Sequence, residues 1–317
     1  MSGLDVTPYL KKPSRDAFGL ALLELAAEDE RIVAVTADVP ESVRMQRFRE
    51  LYPQRFFNFG IAEQNMMSAA AGLAREDKIP YVSTFAIFAA LRAAEQARTD
   101  IAYPNLPARI CVSHSGISLG QGGPTHHSLE DVAIYRLMPN MTVIVPADAL
   151  AVALWMRAAR DLIGPLYLRL SRAPEPTVYA EETPFRIGKA RWLRRGDNLA
   201  ILACGASVGY SLQAADLLAE KGIQATVVDM ASIKPLDREV VIACAKTGAM
   251  LTVEEHSIIG GLGSAVAETL AESGNTVRFK RLGIPDVFTL AAPYPDLLAT
   301  YKLDASGIAF HASALIQ

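Results

Sequence analysis

The sequence predicts an α/β protein of two domains, each a mainly parallel sheet flanked by helices. Three observations predict it. Short β-branched runs alternate with longer amphipathic or Ala-rich runs, as parallel strands joined by helical crossovers require. The alternation breaks once, into the Pro- and charge-rich stretch "APEPTVYAEETPFRIGKARWLRRGD", and then resumes. The 317 residues suffice for two domains of ordinary size.

In chain order, a helix is expected over 14–28, followed by the strand "RIVAVTAD". "PYVSTF" reads as a strand leading into a helix over 86–101, and "ARICVSH" and "MTVIVPA" as strands. "ALAVALWMRAARDL" reads as a helix and "PLYLRLS" as the strand that follows it. The first domain is expected over 1–180, a linker over 181–197 and the second domain over 198–317. That second domain opens with the strand "NLAILACG", a helix over 207–221, the strand "ATVVDM" and a helix over 237–246. It continues with "GAMLTVEE", a Gly-rich turn, a helix over 263–273, the strand "VRFKRLG" and C-terminal helices.

Composition excludes several classes. The chain is 51% hydrophobic and 21% charged, a globular balance without a disorder signature. A formal charge of −3 argues against nucleic-acid binding, so any anion site must come from a few placed residues. The apolar runs are too short or too interrupted to span a bilayer, and "MSGLDVTPYLKKPSRDAF" lacks a signal-peptide core. The three cysteines, Cys111, Cys204 and Cys244, are widely spaced in apolar runs, which suits buried reduced thiols in a cytoplasmic protein.

Three constellations could carry chemistry. The first is "FNFGIAEQNMMSAAAGLA", where Glu63 sits among Ile61, Met66, Met67, Ala70 and Leu73 in a helix buried on most sides. Burying an unpaired carboxylate costs on the order of several kcal/mol. Glu63 either rests on the helix dipole or hydrogen-bonds a ring nitrogen of a buried heteroaromatic ligand. Phe85 and Phe88 could wall such a ring, although aromatics of this kind are more often core.

The second is the glycine-rich loop "SHSGISLGQGGPTHHSLEDVAIYR", which holds three of the five histidines. Clustered imidazoles suggest a metal. Yet no carboxylate lies at ligand spacing before Glu130, and His126 and His127 as neighbours point apart. Imidazoles that hydrogen-bond or shuttle protons on a polyhydroxy substrate fit better, with glycine backbone letting the ligand come close. No metal ligand is assigned. The third is a set of anion binders: Arg15 opening a helix, Ser42 in a loop, and Arg172 at the end of "PLYLRLS", where an α/β sheet binds ligands. Each of these alone also suits a solvated surface.

"IIGGLGSAVAETLA" lacks the spacing of a dinucleotide fingerprint and reads as a tight turn before a closely packed helix. Glu254, Glu255 and His256 end a strand of the second domain, where a structural or interface role is expected.

Together, "FNFGIAEQNM", "PYVSTFAIF", "SHSGISLGQGGPTHHSLEDVAIYR", "VIVPAD", "LYLRLSR" and "LTVEEHSIIGGLGSAVAE" resemble, in order, the C-terminal half of transketolase. The resemblance runs from about Arg15 onward. It implies a thiamine diphosphate-dependent enzyme, with a pyrimidine-binding domain followed by a transketolase C-terminal domain. The G-D-G…N signature that holds metal and diphosphate in the family is not in this sequence. The chain therefore resembles one subunit of a split transketolase. A partner N-terminal subunit would hold Mg2+ (or Ca2+) and the diphosphate, in a heterotetramer with two copies of each chain.

By that resemblance Glu63 hydrogen-bonds N1′ of the aminopyrimidine and favours the imino tautomer, so that the cofactor can attack a ketose and move a two-carbon unit to an aldose. Phe85 and Phe88 match the residues that pack on the aminopyrimidine, and Asp38 one near the cofactor. His126 matches the histidine on the donor's reacting hydroxyls. Arg15, Ser42, His114 and Arg172 match the family's four phosphate-binding positions, which points to phosphorylated or similarly anionic sugars, sulfonates included. Two positions depart from the pattern. Gly122 stands where members carry a hydroxyl-reading Asp, and Leu91 where a third aromatic is usual. Three alternatives are the β subunit of a 2-oxo acid dehydrogenase E1 component, a 1-deoxyxylulose-5-phosphate synthase-like enzyme, and a non-catalytic regulatory partner.

Overall fold

Residues 4–317 are described by a computed structural model. The inner strands of the first sheet are buried on both faces, which explains why they are mostly apolar rather than alternating. Its strands are β1 (Ile32–Thr36), β2 (Phe56–Asn58), β3 (Ile79–Ser83), β4 (Arg109–Val112), β5 (Thr142–Ile144) and β6 (Leu166–Arg169). Between them run α1 (Ser14–Glu28), which precedes β1, α2 (Gln46–Leu51), α3 (Glu63–Arg75), α4 (Ala94–Gln96), α5 (Asp131–Leu137) and α6 (Ala149–Ala158).

The second sheet takes β7 (Arg191–Arg194), β8 (Leu199–Ala203), β9 (Ala225–Asp229), β11 (Ala249–Ser257) and β12 (Arg278–Ile284), while β10 (Ser232–Lys234) crosses to the first. Its helices are α7 (Ser207–Ala219), α8 (Arg238–Ala245), α9 (Leu262–Ser273), α10 (Tyr294–Thr300) and α11 (Ala305–Ile316). The sheet orders are β10-β5-β6-β4-β3-β1-β2 and β12-β11-β8-β9-β7. All pairings are parallel except β10 on β5 and β7 on β9, both at sheet edges. The expected fold class holds.

Three features differ from the sequence reading. The stretch 181–197, expected as a linker, contains β7, an antiparallel edge on β9. Upstream of it, the Asp148 carboxylate that caps α6 also accepts the Val178 and Tyr179 N–H groups at 2.7 and 2.8 Å, fixing the connection to the first domain. Ser232–Lys234 leaves its own domain to extend the first sheet, with Val145 N–H donating to the Ala231 carbonyl at 2.8 Å. The helix expected over 86–101 is interrupted: wide π turns at Phe88–Arg92 and Ala97–Ala102 flank the short α4. Such turns bulge a helix and re-aim its side chains, often beside functional sites.

Buried charge joins the domains. Arg169 at the end of β6 donates to both Asp131 oxygens, at 2.7 and 3.2 Å, and to the carbonyls of Ser128 and Glu255. Glu255 accepts the Ile117 N–H at 2.8 Å and the Tyr294 hydroxyl at 2.6 Å. His256 is buried between Asp131 and Glu254, and burial pushes its imidazole down to about 4. Cys111, Cys204 and Cys244 are buried free thiols.

Candidate active site

The C-terminal ends of the parallel strands gather most of the candidates, as the crossover topology requires. Asp38 lies just past β1, Phe85 past β3, His114 past β4 and Arg172 past β6. Glu63 opens α3, directly after the edge strand β2 and its short loop.

Glu63 is 2% exposed, yet no N–H of its own helix satisfies its side chain among the described residues. Its bond comes from Arg92, whose Nη1 donates to Oε2 at 2.7 Å from the π turn on the facing segment. The same guanidinium lies 4.6 Å from the centroid of the Phe88 ring. Phe88 stacks beside Phe85 with planes 11° apart, and Phe85 stacks on His114 at 3.9 Å. His126 meets Phe88 edge-on at 5.5 Å. One row of flat groups thus runs from the buried carboxylate to an imidazole.

Beyond His114 lies a positive basin. Burial, followed by the charges of Arg15, Arg172 and Arg44, pushes the His114 imidazole down to about 3, so it is a neutral hydrogen-bonding group at any ordinary pH. Its Nδ1 pairs with the Ser113 hydroxyl at 2.8 Å. Arg15 Nη1 donates to the Ser42 carbonyl at 3.2 Å, while its Nε is buried without a hydrogen-bond partner. Burial and the nearby Arg44 also lower the Arg15 pKa. Arg15 and Arg172 line a cleft of about 670 Å³ with Ser118 and Gly122 of the glycine-rich loop and Pro293 and Tyr294 of the second domain. The Asp16 carboxylate offsets part of this charge, lying 3.8 Å from Arg15 Nε and accepting from Arg44 Nε, and the Arg15 Nε that makes no hydrogen bond is a donor for a further anion.

The structure therefore brings together Glu63, Phe85, Phe88, His114 and His126, with Arg15 and Arg172 near His114 and Ser42 joined through its carbonyl to Arg15. Asp38 stands apart: it is exposed at φ +61° and exchanges two hydrogen bonds with Asn58, at 2.9 and 3.0 Å. Arg92, Arg44 and Tyr294 escaped the sequence reading. Arg92 carried one usable signal, since it follows Phe88 by one helical turn and so shares its face.

Neighbouring candidates resolve into structural parts. His127 is held by the Gly120 carbonyl at 2.9 Å and Thr289 at 2.6 Å, facing away from His126. Among the described residues no three His, Cys, Asp or Glu side chains gather as a metal cage. Glu254 occupies the N-terminus of α9, accepting the Leu262 and Gly263 N–H groups at 2.7 Å each, which leaves no place there for a phosphate. A side chain at Gly261 would collide with that carboxylate, so the Gly-rich turn serves packing. At Gly122 an added Cβ would run into the Leu119 side chain.

Comparison with known proteins fixes the class. Residues 11–175 match the transketolase pyrimidine-binding domain and residues 188–308 the transketolase C-terminal domain. The chain belongs to the transketolase family. It is 42% identical over 296 residues to one subunit of the apulose-4-phosphate transketolase of Phocaeicola vulgatus, covering 93% of this chain and 94% of that one. It is 43% identical over 277 residues to the 6-deoxy-6-sulfo-D-fructose transketolase subunit of a Clostridium species, covering 86% and 85%. A 1-deoxy-D-xylulose-5-phosphate synthase of Geobacter sulfurreducens is 41% identical over 94% of this chain, which spans only 47% of that enzyme. A solved split-gene transketolase, described as an inactive beta4 tetramer, superposes with a TM-score of 0.89 at 43% identity, covering 96% of this chain and 98% of the other.

The residues present fit the aminopyrimidine that this family implies. A carboxylate buried to 2% exposure, bonded only by a half-exposed arginine, faces an aromatic ring, an arrangement that can accept a ring N–H and stack the ring.

Proposed function

We propose that this chain is the C-terminal subunit of a split, thiamine diphosphate-dependent transketolase that moves a two-carbon ketol unit between anionic sugars. The observation that carries the reading is the unbroken row from buried Glu63, past Phe88 and Phe85, to neutral His114 in a basin of three arginines. Bound there, the cofactor would supply the nucleophilic carbon that attacks the ketose. Glu63 would accept a hydrogen bond from the ring nitrogen N1′, and Phe85 and Phe88 would hold the ring flat and dry. His126 would hold the donor's hydroxyls. Arg15, Ser42, His114 and Arg172 would bind the substrate's far anionic end, fixing its reach. Asp38 would lie near the cofactor and not in contact with this row.

The substrate class is phosphorylated or sulfonated sugars. The relatives' names, an apulose phosphate and a sulfofructose, support that breadth, and Gly122 in place of the usual Asp favours an acceptor other than the common pentose phosphates. An N-terminal partner would supply the metal and diphosphate site in a cytoplasmic complex with two copies of each chain. In support, the tetramer of β subunits alone is described as inactive in the split-gene relative, and no helix among the described residues is long and apolar enough to cross a membrane.

Co-expression with a subunit carrying G-D-G…N, followed by assay against ketose phosphates and sulfonates, tests the reading. Ketol transfer by the pair and not by this chain alone is the expected result; transfer by this chain alone, or by neither, contradicts it. A second reading, a 1-deoxy-D-xylulose-5-phosphate synthase-like activity, follows from the synthase relative. Formation of 1-deoxy-D-xylulose 5-phosphate by the same pair would favour it.

A further inference from the structure

Arg92 has no part in the family's pattern as read from the sequence, yet it makes the only bond to Glu63 among the described residues. We propose that Arg92 is a placeholder for the cofactor: in the cofactor-free chain its guanidinium takes the position of the aminopyrimidine between Glu63 and Phe88, and cofactor binding displaces it. The inference rests on the role of Glu63 proposed above.

A guanidinium is planar, presents N–H donors along its edge and stacks on aromatic faces. The imino tautomer of the aminopyrimidine, with an N1′–H on its edge, offers the same two features. Arg92 uses both at once, with Nη1 2.7 Å from the Glu63 carboxylate and its guanidinium carbon 4.6 Å from the Phe88 centroid. The buried acid Asp131, by contrast, is held by a buried partner, Arg169, with side chains 0% and 5% exposed. Here the side chains are 2% and 45% exposed, so Arg92 can swing into solvent while Glu63 cannot. Ile61, 78% exposed, and Leu91, 59% exposed, flank the pair in sequence. The placeholder spares Glu63 an unpaired buried charge before the ring arrives. It also lowers the apparent cofactor affinity by the fraction of molecules in which the place is taken.

Isothermal titration of thiamine diphosphate with Mg2+ into the cofactor-free complex of this chain and its partner subunit tests this. Arg92→Leu is expected to bind the cofactor about tenfold tighter than wild type, a size set by one exposed ion pair and one cation–π contact. Arg92→Gln, which keeps a polar chain and so safeguards folding, is expected to gain in the same direction. Arg92→Lys keeps charge without a plane and is expected to fall between. Equal or weaker binding by Arg92→Leu and Arg92→Gln, with wild type binding normally, overturns the placeholder and leaves the proposed function standing. Failure of wild type itself to bind overturns both.

Discussion

Glu63 and Glu254 are both buried carboxylates at the start of a helix, 2% and 1% exposed, and they are satisfied in opposite ways. Glu254 reaches from β11 to the N-terminus of α9 and takes two backbone N–H bonds, with Gly261 making room. Burial lifts it to about 7, and the backbone bonds work against that rise. Everything it needs is supplied from inside the fold. Glu63 sits on its helix without using the helix N–H groups and relies on a side chain that opens to solvent. Burial alone does not mark a site. The acid of the proposed site is the one whose hydrogen-bond partner opens to solvent.

That contrast breaks if the two acids respond alike. Glu63→Gln in the assembled complex is expected to lower kcat at least about 100-fold, the range lost with a group that governs proton transfer, while its melting temperature stays within about 2 °C of wild type. Glu254→Ala is expected to do the reverse. Orphaning the Leu262 and Gly263 N–H groups costs about 2–4 kcal/mol in urea unfolding, with activity per folded molecule unchanged.

His114 sharpens the comparison through pH. Its folded pKa of about 3 lies below the unfolded value of 6.5, so the unfolded chain takes up a proton that the folded chain refuses. Stability therefore falls as pH drops below 6.5, by on the order of 2 kcal/mol at pH 5 from this residue. His114→Asn is expected to show a shallower acid limb in unfolding curves between pH 7 and 5. It will not be flat, because His256, at about 4, acts in the same direction. The smallest effect belongs to the basin's rim: Arg172→Ala is expected to raise KM for a sugar phosphate about tenfold with little change in kcat, since Arg172 is exposed and screened.

Much of this was legible in the chain. Continuous apolar runs specified buried parallel strands, and a carboxylate among Met66, Met67 and Ala70 had to be buried. Ser42 and Arg172 could be read because they follow strand ends, where crossovers leave ligand space, whereas Arg15 opens α1 and His114 joined them only through the resemblance. Pairings through space could not. Arg92 shares a face with Phe88 by its spacing, but its meeting with Glu63 across 29 residues is set by tertiary packing and no local pattern shows it. Ser232–Lys234 joins the other domain's sheet because its edge pairing is decided by packing and not by local pattern. Arg191–Arg194 reads as a polar linker because an edge strand that is half-buried throughout carries no apolar run. Asp38 follows a strand end as the others do, but its left-handed backbone turns it toward Asn58.

The central claim is met most directly by a crystal structure of the two-subunit complex with thiamine diphosphate bound. The account predicts the aminopyrimidine stacked on the aromatic wall, a ring nitrogen about 3 Å from the Glu63 carboxylate, and Arg92 turned out to solvent. A cofactor ring lodged away from residue 63, with the Arg92–Glu63 pair intact, would contradict it.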